Sequence, residues 1–122
     1  MREKSKIAVV GSRGYPDEWD VRNYIWTLRP MKNSVMVISG GAKGPDTWAR
    51  LACARAGIYF RLYEADWNTH GKSAGPLRNY EMAVACDKVV AFWDGESRGT
   101  LDMIRKARDL EKPILIHVKK ER

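Results

Sequence analysis

Four short stretches combine glycine with a hydroxyl or amide side chain and a cation. They are Gly11-Ser12-Arg13-Gly14, Ser39-Gly40-Gly41-Ala42-Lys43-Gly44-Pro45-Asp46, the run from Trp67 to Asn79, and Asp94-Gly95-Glu96-Ser97-Arg98-Gly99-Thr100. Glycine lets backbone approach a ligand closely, and unpaired N–H groups at a helix start attract an anion. Arg13, Lys43, Lys72, Arg78 and Arg98 add charge-assisted bonds, arginine holding phosphate in a two-pronged contact. A single turn of this kind is explained by loop geometry alone. Four of them on one edge of a sheet would point to a phosphate-bearing ligand.

Other chemistries find less support. His70-Gly71-Lys72-Ser73 looks like the end of a P-loop, but Asp66 stands where its first glycine belongs. There is no Gly-x-Gly-x-x-Gly after the first apolar run and no Gly-x-Ser-x-Gly elbow. His117 lies in an apolar run and reads as structural, while His70 lies in a loop expected to face a ligand. With Cys53 and Cys86 the only cysteines, no metal-ligand spacing arises, and two buried free thiols are expected. Trp67 and Tyr15 are candidates for stacking on a base, and a loop plug in the core explains Trp67 equally well. Asp46 reads as a helix cap or a partner for a ribose hydroxyl rather than for phosphate.

These loops must be held by the elements between them. Ile7–Val10, Val35–Ile38, Val89–Trp93 and Ile114–Val118 are continuous apolar runs, as in strands covered on both faces, and the more mixed Ile58–Tyr63 suits an edge strand. Val21, Tyr24, Ile25 and Leu28 share one helical face, and Leu101, Ile104, Ala107 and Leu110 another. Small residues Ala49, Ala52, Cys53 and Ala56 let a third helix sit close to a sheet, with Pro45 in its first turn and Gly57 as its stop. Strands alternating with helices predict an α/β fold: three layers, a doubly wound parallel sheet of about five strands, and ligands beyond the strands' carboxyl ends.

The 122 residues, 44% hydrophobic and 30% charged, are expected to form one domain over 1–122. Of the net charge of +7, the basic ends at about 1–6 and 119–122 each hold three cations and one anion. They supply +4 and leave the body +3, so composition does not demand a nucleic-acid footprint. No apolar run approaches the roughly 20 residues of a membrane span, and no membrane partner is expected. The stretch after the basic start ends at Gly11, short for a signal-peptide core of about 7–15 residues, so a cytoplasmic location is expected.

Asp66-Trp67, Gly71-Lys72, Ala74-Gly75-Pro76 and Arg78-Asn79, preceded by Gly40 to Asp46, resemble the YspA-like branch of the SLOG superfamily from Val9 to about Pro113. The resemblance implies a Rossmann-like domain that binds nucleotides or nucleotide-derived signals and assembles into homo-oligomers, which exposed Trp19 and Trp26 would allow. No cofactor and no metal are expected. Arg78-Asn79-Tyr80-Glu81-Met82 and Gly99-Thr100 are similar to motifs of the Lonely Guy enzymes, which cleave the base from a nucleoside monophosphate. There the catalytic glutamate falls on Met103, which cannot act as a base; Asp102 and Glu96 are weak substitutes, and a helix turning 100° per residue should aim Asp102 elsewhere. Ser39 to Asp46 is similar to the loop of DNA-processing protein A, which implies single-stranded DNA binding as a secondary alternative. The site expected by this reading comprises Gly11, Ser12, Arg13, Gly40, Gly41, Lys43, Gly44, Asp46, Lys72, Arg78, Asn79, Arg98, Gly99 and Thr100.

Overall fold

The computed structural model describes residues 3–120. In chain order the elements are β1 (Ser5–Gly11), α1 (Glu18–Thr27), β2 (Val35–Ser39), α2 (Pro45–Ala56), β3 (Tyr59–Leu62), the short α3 (Trp67–His70), α4 (Ala74–Ala85), β4 (Lys88–Trp93), α5 (Arg98–Asp109) and β5 (Ile114–Val118). All four strand pairings are parallel, in the order β3-β2-β1-β4-β5. The expected Rossmann-like three-layer α/β architecture of five strands is the observed one.

Parallel strands need helices on both faces, and two cores result. Val9, Val37, Val90 and Phe92 pack with Val21 and Ile25 of α1 and Ala49 and Cys53 of α2. Ala8, Val10, Ile38, Val89 and Ala91 pack with Met82 and Ala83 of α4 and Met103, Ile104 and Ala107 of α5. Alternate residues of one strand thus serve opposite layers.

Local chemistry sets the helix ends. Asp17 caps α1 by accepting from Trp19 N–H at 3.0 Å, and Ser97 caps α5 by accepting from Thr100 N–H at 3.4 Å. Pro45 opens α2, and Gly57 closes it in the left-handed region at φ 71°. The face expected for α5 needs one correction: Leu110 follows the helix and is exposed, while Thr100 and Met103 join Ile104 and Ala107 inside. Cys53 and Cys86 are buried free thiols. No helix of the described residues is long and apolar enough to cross a membrane.

The strand order creates a switch point. From β1 the chain steps outward through β2 to β3, then returns through α4 to β4 on the other side of β1. Loops leaving β1 and β4 therefore diverge, which opens a crevice at the carboxyl edge.

Candidate functional site

Two adjoining cavities occupy that crevice. The larger, of about 1020 Å³, spans the loop after β2, the end of β3, the start of α4 and one face of α5. The smaller, of about 310 Å³, lies over the ends of β1 and β4 and the start of α5. Arg13, Ala42, Arg78, Asn79 and Gly99 line both.

A hydrogen-bonded chain runs across the rim. Arg78 Nη1 donates to the carbonyls of Gly40 at 2.7 Å and Tyr63 at 3.4 Å, and Arg78 Nε donates to Asn79 Oδ1 at 3.2 Å. Asn79 Nδ2 donates to Gly99 O at 3.2 Å and to Asp102 Oδ2 at 3.0 Å, and Asp102 is ion-paired with Lys106 at 2.6 Å. A Cβ on Gly40 would lie 2.7 Å from Arg78 Cζ, so the guanidinium holds this place only over a glycine. These bonds use Nε and Nη1 of Arg78, leaving Nη2 for a ligand.

Four arginines, Arg13, Arg78, Arg98 and Arg105, line the larger cavity against the two carboxylates Glu64 and Asp102. Trp67 stands on the same wall, 60% exposed, its ring edge 3.3 Å from where a Cβ on Gly75 would sit. Asp66 caps the short helix beneath it through Thr69 N–H at 3.1 Å.

The smaller cavity is more acidic. Asp46 is 5% exposed, and its Oδ2 accepts from Ala42 N–H at 3.2 Å. Its Oδ1 is buried with no hydrogen-bond partner. Burial pushes its carboxyl up to about 6, against the lowering influence of Ala42 N–H, the Arg78 charge, Gly40 N–H and the Ser39 hydroxyl. Asp94 behaves in the opposite way: partial burial raises its carboxyl, but bonds from Ser97 N–H, Glu96 N–H and Ser12 hold it below the ordinary carboxylate range.

The structure brings most of the expected site residues together and displaces others. Gly11, Arg13, Gly40, Gly41, Asp46, Arg78, Asn79, Arg98, Gly99, Thr100 and Trp67 line one or both cavities. Lys43 and Lys72 are exposed and line neither, since their loops turn these side chains outward. Ser12 is buried as a clasp between loops, its Oγ 3.2 Å from Thr100 Oγ1 and accepting from Asp94 N–H at 3.1 Å. Gly44 adopts φ 87° and packs on the Ser12–Arg13 backbone rather than on a cavity.

Tyr15 is a plain correction. Its ring is 2% exposed, packed edge-on to Phe92, and its hydroxyl donates to Asp20 at 2.5 Å, so no base can reach it. Among the two weak carboxylate candidates, Glu96 lines neither cavity. Asp102 faces away from Met103 as helix geometry requires, yet that direction is the wall of the larger cavity, while Met103 is buried beneath the smaller one. His70 lines neither cavity, and His117 stacks on Phe92 with ring centroids 4.8 Å apart.

Glu64 and Arg105 were not anticipated. The spacing holds a sign of both. Arg98, Leu101, Asp102 and Arg105 follow the i, i+3, i+4, i+7 face of one helix, and Leu62 and Glu64 continue the period of two at a strand's end. Among the described residues no three His, Cys, Asp or Glu side chains cluster as a metal site would require.

No protein-family model matches the chain. The Gene 61 protein of Mycobacterium phage D29 is 33% identical over 121 residues, spanning 90% of this chain and 94% of that protein. The chain belongs to that family. Structures of DNA processing protein A from Streptococcus pneumoniae and Helicobacter pylori share the fold, with TM-scores of 0.73 and 0.72 at 20% and 21% identity. Both matches cover 93% of this chain, which spans only 50% and 65% of those two proteins. The Moco carrier protein from Chlamydomonas reinhardtii also superposes, with a TM-score of 0.71 at 19% identity over 96% of this chain and 78% of that one. The fold implied by the SLOG resemblance is therefore the fold observed, that of DNA processing protein A.

Proposed function

We propose that this chain binds a nucleotide or nucleotide-derived small molecule at the carboxyl edge of its sheet, as a sensor or binding module of the YspA-like SLOG type. One observation carries the reading: the 1020 Å³ cavity has arginines along its rim and an exposed tryptophan on its wall. Arg13, Arg78 and Arg98 would hold the phosphate, with Gly40 and Gly41 admitting it close to the backbone. Trp67 would stack on the base. The buried thioether of Met103 favours binding over base hydrolysis, because no carboxylate occupies that helix position.

A second reading is single-stranded DNA binding, favoured by the Helicobacter pylori neighbour, whose structure concerns a single-stranded DNA binding mode. Thermal shift with nucleoside monophosphates, ADP-ribose, NAD and short single-stranded DNA at two salt concentrations separates the two. A small ligand at about 100 times its Kd adds roughly 2.7 kcal/mol, several degrees for a domain this size. A salt-insensitive shift with a small nucleotide, lost in Arg78→Ala, supports the first reading. A salt-sensitive response to DNA alone overturns it.

A further inference from the structure

The smaller cavity has a chemistry of its own. Asp46 and Asp94 both line it, together with Arg13, Asn79 and Thr100. A phosphate would meet two carboxylates against only the two shared arginines there, whereas the neighbouring cavity sets four arginines against its two carboxylates. Asp46 Oδ1 is a buried acceptor without a donor, a rare condition in a folded protein and one that a bound group relieves.

None of the donors beside it bonds Oδ1. Pro45, the preceding residue, has no N–H. The Ser39 hydroxyl donates to Val9 O at 2.5 Å, and Arg78 Nη1 donates to Gly40 and Tyr63. Helix capping explains Oδ2, which holds Ala42 N–H, but leaves Oδ1 without a role. An asparagine would cap equally well without a buried acid, so a second use for the carboxylate is indicated.

We propose that the smaller cavity is a ribose subsite in which the Asp46 carboxylate accepts a hydrogen bond from a ligand sugar hydroxyl, so that the site selects ribonucleotides over deoxyribonucleotides. The inference rests on the nucleotide reading above and narrows it. Arg13 and Arg78, common to both cavities, place the phosphate next to the sugar, and the larger cavity takes the base against Trp67.

The test is calorimetric titration of the intact chain with the four ribonucleoside 5′-monophosphates and ADP-ribose, each against its 2′- and 3′-deoxy counterparts. The wild-type protein needs no substitution for this comparison. At least one ribonucleotide is expected to bind tenfold or more tightly than a deoxy counterpart. In Asp46→Asn, Ala42 N–H holds the amide oxygen and the other acceptor becomes an NH₂ that cannot accept, so that ratio should fall below threefold. Circular dichroism confirms that the variant is folded. Equal affinities for ribo and deoxy pairs, a preference for the deoxy form, or a ratio unchanged in Asp46→Asn would overturn the ribose subsite while leaving nucleotide binding in place. Binding of none of these probes would overturn the nucleotide reading, and the subsite with it.

Discussion

Asp46→Asn should stabilise the unliganded protein, and only above pH 5. The carboxyl ordinarily titrates near 3.8, and in the fold it is pushed up to about 6 by burial. At 5% exposure this difference needs no discount for solvent screening. Below about pH 3 both folded and unfolded chains hold the proton, and the residue resembles its amide. Between pH 4 and 6 the unfolded chain releases the proton first, so stability falls as pH rises. Above pH 6 the loss is complete. A difference of about 2 pK units corresponds to about 3 kcal/mol, or roughly 10 °C in Tm for a domain of this size. Asparagine carries none of this titration, although its buried NH₂ imposes a cost that does not change with pH. The quantity to measure is therefore the gap between the two proteins in urea unfolding at pH 4, 5, 6 and 7.5. It should widen in the variant's favour by about 2.5 kcal/mol across that range. A gap constant to within about 0.5 kcal/mol would refute the argument that Asp46 is a buried, under-bonded acid. Gained stability alongside lost ribonucleotide affinity would mark a residue kept for binding at the expense of folding.

The remaining predictions are shorter. Gly40→Ala puts a Cβ 2.7 Å from Arg78 Cζ, so the guanidinium must shift from its two carbonyls; urea unfolding should show a loss of only about 1 kcal/mol, while AMP binding should weaken in calorimetry. Trp67→Ala removes a side chain that is 60% exposed, so stability should change by less than about 0.5 kcal/mol while base-bearing ligands lose roughly 1–3 kcal/mol of affinity; unchanged affinity would remove Trp67 from the site. Cys53 is fully buried and its thiol is pushed up to about 12, so a disulfide reagent at pH 8 should label it only in denaturant. Gly11→Ala drives a Cβ into the Pro45 ring and within 2.8 Å of Phe92 O, with an expected cost of about 1–3 kcal/mol in the same unfolding assay.

The elements were legible because each rests on short-range physics. An unbroken run such as Val89–Trp93 suits a strand buried on both faces, and Pro45 and Gly57 bracket α2 by backbone restriction alone. Alternation of strand and helix then forces parallel strands, which places the glycine loops at one edge. That much of the site followed from residue type and order. Which loop side chains face the crevice did not follow. Lys43 and Lys72 share composition with Arg13 and Arg78 yet turn outward, and Tyr15 leaves the same edge to fill a gap against Phe92. Ser12 looked like a phosphate contact and instead ties β1 to the start of α5, 88 residues away.

Sequence alone thus determined the strands, the helix ends, and the gathering of glycine and arginine at the carboxyl edge, because those depend on each residue's own backbone freedom and charge. The order β3-β2-β1-β4-β5 decided the rest. It opened the crevice beside β1, joined Arg78 through Asn79 to Asp102, carried Arg105 to the same wall, and buried Asp46 with one oxygen unmatched. Those outcomes depend on which distant groups meet and which donors are already taken, and a linear pattern of residues does not contain that information.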